Sequence, residues 1–359
     1  MVPYQRSGPV GVCSVVNQSD VVSSPQTCVT PAADVLQRMY RTMLLSRTLD
    51  IRMFALNRQG RVPFMVPCQG HEGAQVGMVT ALRPGRDFFL LYYRDLTAAL
   101  AIGVMPRDIM LGVFARADDP ACGGRQMPEH FSDRRLRIFT GSSSVGTQIP
   151  HAAGIALASK MRGEDDIAVA SFGEGATSKG DFHEGVNFAA VQRLPVIFFC
   201  QNNGYAISER ADRQMVVKSV AERAAGYGIP GVSVDGNDAV AVWRATGEAA
   251  ARARAGDGPT LIEARTYRLA PHTSDDDDRA YRTREEVEEW RRRDPIDRLK
   301  RFLEEQELLD APTDERLRRE VTAEVEAATS YAEAAPLPDP ATLLRHVYAE
   351  EPDARPNLS

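Results

Sequence analysis

One strand–helix–strand pattern near the middle of the chain constrains its fold more than any other feature. An apolar run at 166–172 is followed by a helix-forming segment at 178–193 and a second apolar run at 194–202. Short apolar runs joined by one helix are typical of a βαβ unit, whose two strands are buried and parallel. Further apolar runs at 231–238 and 259–269 flank another helix-forming segment. The sequence therefore predicts an α/β fold with a doubly wound, mostly parallel sheet and helices on both faces.

The whole chain divides into three predicted regions. Residues 1–30 lack periodicity and are predicted to form a disordered N-terminal tail. Residues 31–280 hold the α/β domain, and residues 281–359 form a helical C-terminal extension, packed on the same domain or on its partner. Within the domain the sequence further predicts helices at 31–59, 73–82 and 147–163, a strand at 87–95 and a long loop at 115–135.

Composition and charge exclude several classes of protein. The formal net charge is −6, whereas a nucleic-acid-binding protein needs a basic face. No apolar run reaches about 18 residues, so no membrane span is expected. The five cysteines form no C-x-x-C pair, which argues against a zinc ribbon or a redox motif. No secretory signal is recognisable, so we expect a cytoplasmic protein, or one of the mitochondrial matrix if the source is eukaryotic.

Polar side chains follow both strands of the βαβ unit, at the point where each strand ends. Glu174 comes directly after the first strand, and Asn203 follows the second strand 29 positions later. A parallel crossover returns to the same edge of the sheet, so both side chains are expected at one ligand-binding edge. Carboxylate and amide oxygens suit Mg²⁺, which completes its coordination with phosphate oxygens. Gly173, Gly175 and a helix predicted to begin at 175–177 would let a diphosphate approach the backbone.

Either fragment alone is explained by a helix cap or an Asn-Asn-Gly turn, but the pair at matched strand ends favours a magnesium–diphosphate site. Other short motifs extend the pattern: GRQMP (124–128), TQIPHAAG (147–154), FGEGA (172–176), FFCQNNGYAIS (198–208) and TYR…HTSDDDDRAYR (266–282). Together they resemble the α subunit of the thiamine-diphosphate-dependent branched-chain 2-oxo acid dehydrogenases. The resemblance covers about residues 31–350 and implies the thiamine-diphosphate-binding fold.

The resemblance also assigns residues to the cofactor. Glu174 and Asn203 would bind Mg²⁺ through their side chains, and Tyr205 through its carbonyl oxygen. The implied contacts to thiamine diphosphate are Tyr93, Arg94, Ser143, Gly175, Ala176, Gln201 and His272. A planar guanidinium suits the diphosphate. His272 is the implied catalytic residue, and a histidine placed after Pro271 is expected to change charge near neutral pH.

Three positions leave questions open. Gln201 stands where the family often has arginine, so one phosphate contact is expected to be missing or water-mediated. Ser144 stands where mammalian members have proline, in a segment that lines a potassium site in those members, and K⁺ is therefore an open expectation here. His71 lies in a Gly-flanked loop and is a candidate for the substrate channel, although packing is the commoner role for such a residue.

The resemblance implies oxidative decarboxylation of branched-chain 2-oxo acids of the 3-methyl-2-oxobutanoate type, with acyl transfer to the lipoyl group of a partner acyltransferase. The carboxylate that activates the cofactor's aminopyrimidine ring would come from a separate β subunit in an α₂β₂ heterotetramer. A pyruvate or acetoin dehydrogenase α subunit remains an alternative, as does a non-catalytic assembly or regulatory subunit. The joint presence of Glu174, Asn203, Arg94 and His272 argues against the non-catalytic alternative.

Overall fold

The computed structural model describes residues 30–345 and residue 347, so the predicted N-terminal tail lies outside the described residues except for Thr30. The strands are β1 (Phe88–Leu90), β2 (Ala168–Gly173), β3 (Val196–Asn202), β4 (Tyr205–Ala206), β5 (Glu209–Arg210), β6 (Gly231–Asp235) and β7 (Thr260–Arg265). The α-helices are α1 (Ala33–Arg58), α2 (Glu72–Thr80), α3 (Leu96–Ile102), α4 (Pro106–Val113), α5 (Gln148–Arg162), α6 (Gly180–Val191), α7 (Ala211–Gln214), α8 (Ala239–Arg254), α9 (Arg284–Arg291), α10 (Pro295–Glu305) and α11 (Ala311–Ala334). None of these helices has the length and apolarity needed to cross a membrane.

The main sheet has five strands in the order β1-β2-β3-β7-β6, and every neighbouring pair is parallel. Each of these parallel connections needs a crossover, which the helices between the strands provide. Strands β4 and β5 form a separate antiparallel pair just after β3. The structure confirms the predicted α/β fold with a parallel sheet.

Alternate residues of the central strand β3 enter two different hydrophobic cores. Ile197 and Phe199 pack in the core that contains residues of α1, α2 and α8. Val196 and Phe198 pack in the core that contains residues of α5 and α6. Because successive side chains of a strand point to opposite faces, the two cores lie on opposite faces of the sheet. Helices therefore cover both faces, as the doubly wound arrangement predicts.

The C-terminal helices α10 and α11 pack against α1, and they share its hydrophobic core through side chains such as Leu299 and Val321. The hydroxyl of Tyr40 on α1 donates a 2.7 Å hydrogen bond to Asp314 on α11, and Lys300 on α10 donates to the same carboxylate at 2.7 Å. The described residues from Pro31 onward accordingly form one compact unit.

Several predicted elements differ from the structure at their ends; the strand predicted at 259–269, for example, ends at Arg265. Two of the differences lie beside the predicted site. The predicted strand at 87–95 stops at Leu90, because the carboxylate of Asp95 accepts a hydrogen bond from the backbone of Tyr92 and closes a turn. The helix predicted to begin at 175–177 is instead a separate 3₁₀ turn over Glu174–Ser178. Lys179 is extended, and α6 begins only at Gly180, so residues 175–177 lack the dipole of a long helix.

Candidate active site

Glu174 and Asn203 lie together at the carboxyl edge of the sheet. Strands β2 and β3 pair in parallel up to Gly173 and Gln201, so the residues that follow each strand leave the sheet at the same level. The backbone N–H of Asn203 donates a 3.2 Å hydrogen bond to Oε2 of Glu174. The crossover therefore brings the two predicted metal ligands to one place.

The carboxylate of Glu174 has one unsatisfied oxygen. The residue is only 3% exposed, and Oε1 has no hydrogen-bond partner among the described residues. Burial raises the pKa of this carboxyl group. A buried carboxylate oxygen without a partner is costly unless a donor or a cation satisfies it. The free oxygen fits the predicted metal ion.

The donor set at this edge suits Mg²⁺ better than a metal held by protein alone. In the described part of the chain, no group of three or more His, Cys, Asp or Glu side chains could hold a metal ion. Mg²⁺ commonly takes one or two carboxylates and completes its octahedron with phosphate oxygens and water. One carboxylate and one amide oxygen are therefore a sufficient protein contribution, provided that a phosphate arrives with the ion.

The side-chain amide of Asn203 is held at both ends. Its Oδ1 accepts a 3.2 Å hydrogen bond from the backbone N–H of Tyr205, and its Nδ2 lies 3.3 Å from Nε2 of His71. The hydroxyl of Tyr205 donates to Glu286 at 2.8 Å, which anchors the residue whose carbonyl oxygen is a predicted ligand. His71 is fully buried, so it does not line an open substrate channel.

Arg94 and Arg268 form a buried, positively charged cradle around His272. They are 1% and 2% exposed, and across residues 30–345 neither forms an ion pair with a carboxylate. Arg94 Nη2 lies 3.1 Å and Arg268 Nη1 2.7 Å from Nδ1 of His272. Two buried guanidiniums without a counter-charge favour the binding of an anion.

His272 is neutral in this environment. Burial, followed by the charges of Arg94 and Arg268, lowers the pKa of His272 to about 3. The prediction that this histidine changes charge near neutral pH is therefore wrong for the chain described here. Because Nδ1 accepts hydrogen bonds from the guanidinium groups, the ring proton must lie on Nε2.

Tyr93 contacts this cluster, whereas Gly175 and Ala176 lie in the 3₁₀ turn that follows β2. The ring of Tyr93 meets His272 edge-on, with centroids 6.0 Å apart, and the guanidinium of Arg94 lies 5.4 Å from the Tyr93 centroid. A Cβ atom at Gly175 would lie 2.7 Å from Cβ of Ala206, so only glycine fits this position. Ala176 is buried in the same 3₁₀ turn.

Gln201 is engaged in a buried polar network. Its Nε2 donates to Oδ1 of Asp95 at 2.6 Å and to Oγ of Ser171 at 2.8 Å, while its Oε1 accepts from Gln75 at 3.0 Å. Burial raises the pKa of Asp95 to about 7. Because both ends of the amide are used, the structure favours a positioning role for Gln201 over a direct contact with phosphate.

Ser143 lies apart from this cluster, on an exposed loop. Its hydroxyl is 2.7 Å from Nε2 of His130, whose Nδ1 faces the carbonyl oxygens of Met127 and Pro128 at 3.0 and 3.2 Å. Carbonyl oxygens can only accept, so Nδ1 carries the proton and Ser143 donates to Nε2.

The predicted potassium segment comprises Ser142, Ser143, Ser144, Thr147 and Gln148. Some of its polar groups already have protein partners: the Ser144 N–H donates to Oγ of Ser142 at 3.1 Å, and the Gln148 amide donates to the Ser171 carbonyl at 2.9 Å. Potassium stays a prediction.

Sequence reasoning does not single out Arg268, His130 or Asp95 as site residues. Arg268 lies four positions before His272, just after β7 at the ligand-binding edge, and that position was the available signal. His130 and Asp95 have no comparable signal, because their partners are defined only by the folded loops.

Comparison with known proteins shows the family of this chain. A family model described as "Dehydrogenase E1 component" matches residues 40–341. The chain is 53% identical over 312 residues to the 2-oxoisovalerate dehydrogenase subunit alpha of Bacillus subtilis, a match that covers 87% of this chain and 94% of the relative. It is 44% identical over 290 residues to the 3-methyl-2-oxobutanoate dehydrogenase subunit alpha of Mycobacterium tuberculosis, covering 81% and 75%. It is 38% identical over 336 residues to the human mitochondrial 2-oxoisovalerate dehydrogenase subunit alpha, covering 93% and 75%. The chain belongs to the dehydrogenase E1 component family.

Proposed function

We propose that this chain is the α subunit of a branched-chain 2-oxo acid dehydrogenase, an oxidoreductase that uses thiamine diphosphate and Mg²⁺. The names of its relatives support the substrate class. The observation that carries the proposal is the unsatisfied oxygen of Glu174, whose carboxyl is subject to the charges of the unpaired Arg94 and Arg268. Such a site favours a cation and an anion together, and a magnesium diphosphate provides both.

The roles of the residues follow from this geometry. Glu174, Asn203 and the carbonyl oxygen of Tyr205 would hold Mg²⁺, and Arg94 and Arg268 would hold the diphosphate. When bound, thiamine diphosphate would supply the carbon that adds to the oxo group and accepts the electrons released with CO₂. His272 would hold a proton on Nε2, from which it can donate to a developing negative charge.

The choice of substrate is open to a direct test. The chain should be co-expressed with its β subunit. Rates should then be measured with pyruvate and with the 2-oxo acids derived from valine, leucine and isoleucine. We expect the highest kcat/KM with 3-methyl-2-oxobutanoate. A preference for pyruvate, or activity with acetoin, would favour the alternative dehydrogenases.

The proposal also includes two protein partners, a β subunit and a lipoyl-bearing acyltransferase. The α-subunit names of the relatives support a β subunit, which we place in an α₂β₂ heterotetramer acting on a lipoyl-bearing acyltransferase. The isolated chain should show negligible decarboxylation, because the carboxylate that activates the cofactor's ring would come from the β subunit. Full turnover by the purified single chain would contradict this divided site. We place the complex in the cytoplasm, or in the mitochondrial matrix of a eukaryote.

A non-catalytic subunit would lack this cofactor site. Calorimetry with thiamine diphosphate and Mg²⁺ separates the two possibilities, because a regulatory subunit should release no heat that depends on Glu174. The unsatisfied carboxylate oxygen favours the catalytic role.

A further inference from the structure

His71 is the buried residue that contacts the side-chain amide of Asn203. It caps the start of α2, and its backbone is fixed on both sides: its N–H donates to the Cys68 carbonyl at 2.9 Å, and its carbonyl accepts from Gln75 at 3.1 Å. Gly70, just before it, has φ of +94°, and a Cβ there would lie 2.1 Å from the Tyr267 carbonyl oxygen. The backbone that carries the imidazole is therefore fixed by its own loop and by α2.

The backbone decides which way the Asn203 amide points. The N–H of Tyr205 lies 3.2 Å from one atom of this amide, and only an oxygen can accept there. That atom is Oδ1, so the other is Nδ2, which can only donate. Nε2 of His71 is 3.3 Å away and must supply a lone pair.

The same contact defines the tautomer of His71. An imidazolium has no lone pair, so a ring whose Nε2 accepts from Nδ2 of Asn203 is neutral and carries its proton on Nδ1. Nδ1 is buried and has no hydrogen-bond partner among the described residues. The ring is therefore an acceptor toward Asn203.

We infer that His71 is a positioning residue for the metal site: it accepts from Nδ2 of Asn203 and thereby keeps Oδ1 turned toward the edge where Glu174 and Tyr205 lie. This inference rests on the proposed function, because it assumes that Asn203 binds a metal. Without the acceptor, Nδ2 would be an unsatisfied buried donor, and the amide would gain from rotating away. Partners behind a metal ligand typically change metal affinity by about 10- to 100-fold when removed.

The test uses three substitutions at one position in the full chain together with its β subunit. His71→Gln places an acceptor oxygen where Nε2 was, His71→Asn reaches only to the position of Nδ1, and His71→Leu has no acceptor. Affinity for Mn²⁺, a paramagnetic substitute for Mg²⁺, is measured by electron paramagnetic resonance in the presence of thiamine diphosphate. We expect the Asn and Leu variants to bind Mn²⁺ about 10-fold or more weakly, and the Gln variant to stay close to wild type.

A double-mutant cycle with Asn203→Ala completes the test. If His71 acts through Asn203, His71→Asn should cause little further loss of Mn²⁺ affinity once Asn203 is alanine. Equal affinity in the wild type and the Asn variant, or fully additive losses, would overturn the inference and leave the metal site intact. Absence of Mn²⁺ binding in the wild type would overturn the proposed metal site and the inference together. The Gln and Asn variants are both polar, so their comparison holds even if the Leu variant does not fold.

Discussion

Two regions that carry predicted cofactor contacts are built in opposite ways. The strand-end cluster, made of Glu174, Asn203, Arg94, Arg268 and His272, lies at the carboxyl edge of the sheet, and its charged groups are almost completely buried. The loop pair, made of Ser143 and His130, lies on an irregular segment with its hydroxyl exposed. The first region is held by strands and the second by a few hydrogen bonds of its own loop.

The two regions differ in whether their polar and charged groups have partners within the protein. The strand-end cluster has an oxygen without a partner and two cations without a counter-charge, all removed from water. In the loop pair, Ser143 and Nε2 of His130 satisfy one another, and Nδ1 of His130 donates to the Met127 carbonyl. A buried group without a partner is costly and is explained by a ligand, whereas a satisfied, exposed pair needs none. The diphosphate half of the proposed site is therefore preformed in this chain, and the loop half is not.

The largest effect is expected from Glu174→Ala. Mg²⁺-dependent binding of thiamine diphosphate should be lost in calorimetry, because the carboxylate that would hold the metal is removed. Without cofactor, the free energy of unfolding should change little, since the substitution deletes an unsatisfied buried oxygen but also leaves the Asn203 N–H without its acceptor. Glu184→Ala, at an exposed position on α6, is the matched control and should leave both quantities unchanged. Unchanged cofactor affinity in the Glu174 variant would rule out the metal role.

The second-largest effect is expected from His272→Ala. A residue that positions or donates a proton contributes about 10²–10⁴-fold to a rate, so acyl transfer to the lipoyl group should slow by that order. Cofactor affinity should change less, because Glu174 and Arg94 remain. Reductive acylation is measured beside decarboxylation with an artificial electron acceptor, with His151→Ala, at an exposed position, as control. Wild-type rates in both assays would leave His272 as a loop residue only.

Arg268→Leu tests whether the cradle binds the diphosphate. A hydrogen bond to a charged group contributes about 1.5–3 kcal/mol, so affinity for thiamine diphosphate should fall about 10- to 100-fold. Arg265→Leu changes an exposed arginine three residues earlier on the same segment and should have little effect. Equal losses in the two variants would mean that general positive charge, and not the buried cradle, attracts the cofactor.

A smaller effect is expected in the pH dependence of stability. The pKa of His272 is about 3 in the folded chain, against 6.5 for an ordinary histidine. As pH falls from 6.5 toward 3, the unfolded chain binds a proton here that the folded chain does not, so folding becomes less stable. His272→Asn removes this contribution. Urea titrations at pH 7 and pH 4.5 should therefore show a smaller loss of stability in the variant than in the wild type.

The smallest effect is expected from Ser143→Ala in the isolated chain. The change removes one exposed hydrogen bond, whose net contribution is about 1 kcal/mol or less, and cofactor affinity should stay within about fivefold. A loss as large as that of Glu174→Ala would show that the loop half is also preformed, and the distinction between the two regions would fail. A larger loss of cofactor affinity that appears only in the presence of the β subunit would strengthen the distinction between the two regions.

The sequence predicts the meeting of Glu174 and Asn203 but not the contact between Arg94 and His272, for a physical reason. Glu174 and Asn203 are linked by one crossover, whose strands and helix have clear apolar periodicity. Arg94 and His272 are 178 positions apart, and their contact depends on how the turn after β1 packs against the segment after β7. Sequence periodicity predicts elements but contains nothing about such a long-range contact.

Local effects explain the remaining differences. The short helix α3 follows a turn that Asp95 closes, so its start depends on a buried carboxylate that no periodic pattern reveals. The 3₁₀ turn at Glu174–Ser178 replaces a predicted helix start, and the hydroxyl of Thr177 donates back to the carbonyl of Glu174 at 2.7 Å. Gln201 lies at a predicted cofactor position, but its burial beside Asp95 and Ser171 gives its amide other partners.

The proposed cofactor site at Glu174 would also link the lifetime of the protein to the thiamine supply of the cell. A ligand that binds only the folded state stabilises it in proportion to the logarithm of its free concentration, by about 2.7 kcal/mol at 100 times its dissociation constant. A cell short of thiamine would therefore hold this chain nearer to its unfolding threshold, where proteases remove it faster. The same carboxylate that would hold the metal would then help to set how much of the subunit survives.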